Sequence, residues 1–165
     1  MILRTVVGIL FLATICSLCI NCGNTSKPMA ATEEEFQPAL YQKTMCFGPC
    51  PAFTFAVDAS GLATLSIDRP LRIAPLNALP PGSYRAKLTD ASSWNTRVDA
   101  AAREVKYSSL DSLYDNPKVT DLPATITLWA GKSVTNRYNG PDLTTLYAAF
   151  DAAMAALIWR PIETK

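Results

Sequence analysis

Residues 44–53 read Thr-Met-Cys-Phe-Gly-Pro-Cys-Pro-Ala-Phe, and the fold turns on them. Gly48-Pro49 is a turn signal, and Pro49 and Pro51 prevent a helix from running through the segment. A strand-like run over 39–45 leads in and another over 52–57 leads out. The stretch is therefore a punctuated corner at the start of a sheet. Cys46 and Cys50 are read as a disulfide that closes it, the usual fate of a nearby cysteine pair in an exported protein. A loop of about five residues contributes roughly 2 kcal/mol in the chain-entropy estimate. Phe47, held between the two cysteines, is the residue expected to protrude as an anchor for a partner.

Outward from the corner, Phe53, Phe55 and Val57 alternate with Thr54, Ala56 and Asp58, the pattern of a half-buried strand. Asp58-Ala-Ser-Gly61 is a hairpin turn, and residues 62–67 return with Leu65 and Ile67 on one face. Pro70, Pro75, Pro80 and Pro81 make 68–82 an irregular connection, with a short strand expected at 71–74. Residues 84–88 alternate again. Asp90 is an N-cap before Trp94, Val98, Ala101, Ala102 and Val105, which predict a helix over about 91–106. Strands follow at 124–129 and 133–138 around Ala130-Gly131-Lys132. Gly140-Pro141 then opens a last helix, with Pro141 at its first position and an apolar face from Leu143 to Ile158, ended by Trp159, Arg160 and Pro161. The expected fold is α+β: an antiparallel sheet of about five to six strands, joined by hairpins, with both helices packed on one face.

The Cys-Phe-Gly-x-Cys-Pro-x-Phe corner resembles a family of uncharacterised bacterial lipoprotein domains known as a domain of unknown function (DUF6438). The resemblance covers most of 38–159. It rests on the corner, the hairpin after it, Tyr114 with Thr120-Asp-Leu-Pro123, and the Pro141 and Leu143 region. It implies an exported protein and carries no known activity.

The N-terminus agrees with export. Arg4 is followed by sixteen uncharged residues, Thr5 to Ile20, somewhat short of the ~20 of a membrane-spanning helix and right for a signal peptide. Residues 1–21 are read as that signal, and 22–37, with Gly23, Pro28 and Glu33-Glu34-Glu35, as a flexible linker. Residues 38–160 are read as a single domain. Cys22 looks like a lipoprotein processing site, modified by diacylglycerol, although Cys19 and Asn21 depart from the strict pattern before it. Acyl chains contribute about 0.8 kcal/mol per buried CH₂, enough in combination to hold a protein on a membrane. Cys16, Cys19 and Cys22 have an iron–sulfur-like spacing. They lie in the membrane-bound segment, separated from Cys46 and Cys50 by polar linker, so no cluster is expected.

Composition removes whole classes of chemistry. Histidine is absent, which excludes Ser-His-Asp and Cys-His catalysis, zinc–histidine sites and a histidine pH switch. Residues 22–165 carry fourteen basic and fourteen acidic side chains, so there is no electrostatic footprint for nucleic acid. The seven glycines form no nucleotide-binding pattern. Asp58, Asp90, Asp111, Asp115, Asp121 and Asp142 show no catalytic pairing and no calcium-loop spacing. The aromatic residues Trp94, Trp129, Tyr138, Tyr147 and Trp159 are expected in the core. The sequence thus predicts a non-catalytic domain without metal or cofactor, anchored to a membrane and binding a protein or envelope polymer. The alternative is a thiol–disulfide redox protein using Cys46 and Cys50, against which stand the Cys-x3-Cys spacing and the strand, rather than helix, after Pro51.

Overall fold

The alternation over 52–57 places Phe53, Phe55 and Val57 on one side of an extended chain. In a computed structural model this segment is strand β2, Ala52–Val57, inside an eight-stranded sheet. The structure describes residues 34–163. The expected signal over 1–21, the expected anchor Cys22 and linker residues 23–33 lie outside the described residues.

β2 is flanked by β1 (Ala39–Lys43) and β3 (Leu62–Arg69), both antiparallel to it, and β4 (Gly82–Lys87) pairs with β3. Helix α1 (Ala91–Glu104) follows, then a two-residue strand β5 (Leu113–Tyr114). β6 (Thr125–Trp129) pairs with β1, and β7 (Lys132–Asn136) pairs with β6. Helix α2 (Thr144–Ala155) precedes a second two-residue strand, β8 (Arg160–Pro161). The sheet order is β5-β7-β6-β1-β2-β3-β4-β8.

The α+β class with two helices agrees with the sequence expectation, and the strand count does not: there are eight strands rather than five to six. The additions are the outermost strands, too short to carry a period. The sheet is also not wholly antiparallel, because β5 runs parallel to β7. The strand expected at 71–74 does not form; Leu71 and Leu76 are instead buried around a 3-10 turn at Leu76–Ala78. Trp159-Arg160-Pro161 does not simply end the last helix, since Arg160 and Pro161 form β8 against β4.

Register explains the core. Tyr41 lies opposite Phe55, Phe55 opposite Leu65, and Leu65 opposite Tyr84, so four strands present large side chains in one rung. Both helices deliver their apolar stripes to this face. Trp94 of α1 meets Phe55 edge-on at 6.3 Å, and Phe150 of α2 stacks on Tyr41 at 5.3 Å. Edge-to-face and offset-stacked rings are the arrangements that ring quadrupoles favour. Leu146, Phe150 and Met154 are fully buried, so α2 is held by packing.

Side chains set the element boundaries. The Asp58 carboxylate accepts hydrogen bonds from the Ser60 N–H (2.9 Å), the Ser60 hydroxyl (2.7 Å) and the Leu62 N–H (3.0 Å), closing the β2–β3 turn. Gly61 there has φ +78°, and a Cβ on it would meet the Phe36 ring at 2.6 Å. Asp90 caps α1, accepting from the Ser93 N–H at 2.8 Å. Pro141 is not the first helical residue of α2. The Asp142 carboxylate takes the Thr144 N–H at 2.9 Å and its hydroxyl at 2.5 Å, and the helix begins at Thr144 with Leu143 already buried. The last residues of the expected linker are tied to the folded body. The Phe36 N–H donates to the Ala59 carbonyl (3.3 Å), Gln37 N–H to Asn95 Oδ1 (2.8 Å), and Trp94 Nε1 to the Gln37 carbonyl (3.0 Å).

Candidate functional site

The cysteine corner joins β1 to β2. Its base is pinned to the chain entering β6: the Thr44 N–H donates to the Ala124 carbonyl (2.9 Å) and the Ala124 N–H to Thr44 Oγ1 (2.8 Å). Cys46 and Cys50 are joined by a disulfide. Two arginines at the end of β3 and just beyond hold the loop from outside it. Arg69 Nη1 donates to the carbonyls of Cys46 (3.2 Å) and Gly48, and Arg72 Nη2 donates to the Pro49 carbonyl (3.0 Å). Such charge-assisted bonds are stronger than neutral ones. Sequence reading did not mark these arginines, because what they bind is backbone some twenty residues away.

This scaffold leaves Phe47 93% exposed and Met45 60% exposed. A cleft of about 260 Å³ lies between Pro49 and Cys50 on one side and Arg69–Arg72 on the other. Cys50 is followed by Pro51 and strand β2, so no helix N-terminus adjoins either sulfur. The structure therefore gathers Cys46, Phe47 and Cys50 into one protruding corner.

The sequence profile of a family described as "Domain of unknown function (DUF6438)" matches residues 39–154. This chain belongs to that family. Neither a curated protein nor a solved structure matches it. The DUF6438 match spans β1 to the last turn of α2, and so contains the whole corner.

The carboxylates of this DUF6438 domain are spread rather than paired. Asp58, Asp90 and Asp142 hold turns and helix starts, Asp115 pairs with Arg137 at 2.9 Å, and Asp121 accepts from the Thr120 hydroxyl at 3.1 Å. Among the described residues no three His, Cys, Asp or Glu side chains are grouped so as to hold a metal ion, and no helix is long and apolar enough to cross a membrane. Trp94 and Trp129 are buried, and Tyr147 and Trp159 pack against the core, whereas Tyr138, expected with them, is half-buried outside it.

One acid that sequence reading passed over does stand out. Asp151 follows Phe150 and sits four residues after Tyr147, on the apolar face of α2, and that position is the signal that could have found it. Burial raises its pKa above the ordinary carboxylate value, while the Lys43 ammonium and the Tyr41 hydroxyl pull it back. Tyr41 is fully buried, and burial first, then the Asp151 charge, push its phenol upward. No bond of good geometry joins them: Tyr41 Oη and Asp151 Oδ1 are both buried without a hydrogen-bond partner. A carboxyl whose folded pKa is raised favours the fold below its unfolded pKa, and that contribution is lost as pH climbs through the folded value. Asp151→Asn, which mimics the neutral acid, is therefore expected to raise Tm at pH 7 and to change it little near pH 3, below the ordinary carboxylate pKa of about 3.9. Melting curves at the two pH values check this. A variant less stable than the parent at pH 7 would show that the ionised acid is needed.

Proposed function

We propose that this chain is an exported, lipid-anchored, non-catalytic domain that binds a partner, a protein or an envelope polymer, through its cysteine corner. The observation that carries the reading is a phenyl ring 93% exposed on a loop fixed by a disulfide and two guanidinium groups. A large ring left in water contributes little to folding, and a loop already ordered loses less entropy when it docks. Phe47 is the anchor, Met45 widens the apolar contact, and Cys22 carries the acyl chains that hold the domain at a membrane.

Phe47→Ala is expected to leave stability within about 0.5 kcal/mol of the parent, as for an exposed side chain without partners, while abolishing partner capture. A photoreactive phenylalanine analogue at position 47, introduced into the full chain in living cells, should crosslink to an envelope component. The same analogue at Leu113, exposed at the β5 edge of the sheet, should not. Equal crosslinking from both positions, or none from position 47, would sink the reading. The intact mass of the membrane-extracted chain, alkylated without reductant, tests the anchor. A chain beginning at Cys22 with acyl groups is expected, and an unlipidated chain beginning elsewhere contradicts it.

A further inference from the structure

A second feature lies at the other end of β3 from the corner. The ladder between β4 and β8 pairs Tyr84 with Pro161 and Arg85 with Arg160, and then stops. Continued by two residues, it would put Ile158 opposite Lys87. Instead Trp159 turns inward: its Nε1 donates to the Met154 carbonyl at 3.0 Å and its ring meets Phe55 edge-on at 6.1 Å. The two chains splay apart and leave a groove of about 620 Å³, bounded by the β4 edge, the start of α1 and the end of α2. That volume lies within the range of small-molecule sites, roughly 300–1,000 Å³.

The groove has an apolar floor and a basic rim. Leu88 and Trp94 are buried beneath it, Leu157 lines it, and Ile158 is 84% exposed beside it. Arg85, Lys87, Arg97 and Arg160 line it too. Arg85, Lys87 and Arg160 stand on the sheet face away from the helices, at the open β4 edge, and the Lys87 ammonium is bonded to the Ser60 carbonyl. The single acid, Asp90, is already engaged as the cap of α1. Arg85 and Arg160 are direct cross-strand partners, and among the described residues neither is paired with a carboxylate. Like charges facing each other across a ladder destabilise it, so folding alone gives no reason for this pair. The backbone supplies one more donor. Ile162 N–H donates to the Ser83 carbonyl, and Leu88 N–H donates, on the β3 side, to the carbonyl of Gly61 just before that strand. The alternation of an antiparallel ladder then turns the Lys87 N–H outward, beyond the last β8 pair.

We propose that this groove binds a small amphiphilic anion, a molecule with one apolar chain and a carboxylate or phosphate head. The chain would lie on Leu88, Trp94 and Leu157, and the head would take the Arg85–Arg160 pair and the Lys87 amide. A free inorganic anion leaves the floor without purpose, and a neutral lipid leaves the arginine pair uncompensated. The site is independent of the partner reading at Phe47.

The test uses the full chain in its membranes and three chain-labelled diazirine probes of equal length, with carboxylate, phosphate and alcohol heads. Labelling by an acid-headed probe is expected on the peptides carrying Leu88, Trp94 or Leu157, with the stronger of the two acids identifying the head. The alcohol should label these peptides at least tenfold less, since it offers the guanidinium groups no charge-assisted bond. The double variant Arg85→Gln/Arg160→Gln should lose labelling at least tenfold while melting no lower than the parent, because the repulsion is removed. Ala156→Phe, at an exposed position lining the groove, should block labelling by filling it. Equal labelling by the alcohol, labelling confined to other peptides, or undiminished labelling of both variants would overturn the proposal.

Discussion

Phe150→Ala is expected to cost about 3–5 kcal/mol, the range for removing a buried aromatic ring. The ring is fully buried, stacks on Tyr41 at 5.3 Å and tilts against Trp94 at 6.2 Å. It therefore joins the centre of the sheet to both helices. Domains of this size are stable by only about 5–15 kcal/mol, so the loss is a large fraction of the total. With a urea slope of roughly 2 kcal/mol/M, the unfolding midpoint should fall by about 2 M at unchanged slope. A fall of less than about 0.5 M would mean that α2 is not packed on the sheet as described.

The second large effect lies at the corner. Replacing both Cys46 and Cys50 by alanine is expected to cost about 2 kcal/mol, the chain-entropy value for so short a loop. For a domain of this length that is a fall in Tm of roughly 5–10 °C. Arg69 and Arg72 grip loop carbonyls rather than the sulfurs, so the loop should loosen without melting the β1–β2 pairing beyond it. Calorimetry of the double variant gives the cost. Amide exchange at 45–50 then tells local loosening from global opening: faster exchange confined to the corner is expected, whereas equal acceleration in β2 would show that the disulfide supports the whole sheet.

Much of this was legible in the sequence where short-range chemistry decides the outcome. The 52–57 alternation, the Asp58–Gly61 turn and the Asp90 cap each depend on residues within four positions of one another, and each forms as the residues dictate. The cysteine corner was legible for the same reason. β5 and β8 were not: two residues carry no period, and their partners lie about twenty and about seventy-five residues away. Pro141 satisfied a local rule for a helix start, but Asp142 captured the Thr144 amide and moved the start past it. Arg69, Arg72, Asp151 and the Arg85–Arg160 pair share a different obstacle. Their importance comes from what the fold brings beside them, and a sequence shows each only as an ordinary charged residue.

The outermost strands also bear on how copies of this domain meet. An unfinished strand is a template on which a second molecule can continue the sheet, and long ones seed fibres. Here each rim ends in a strand of two residues, and on the β4 side the chain then bends away at Trp159. Two domains colliding rim to rim find almost no register to share. Under the proposed lipid anchor, which would confine copies to a plane and raise their encounter rate, such blunt rims would keep crowded neighbours separate.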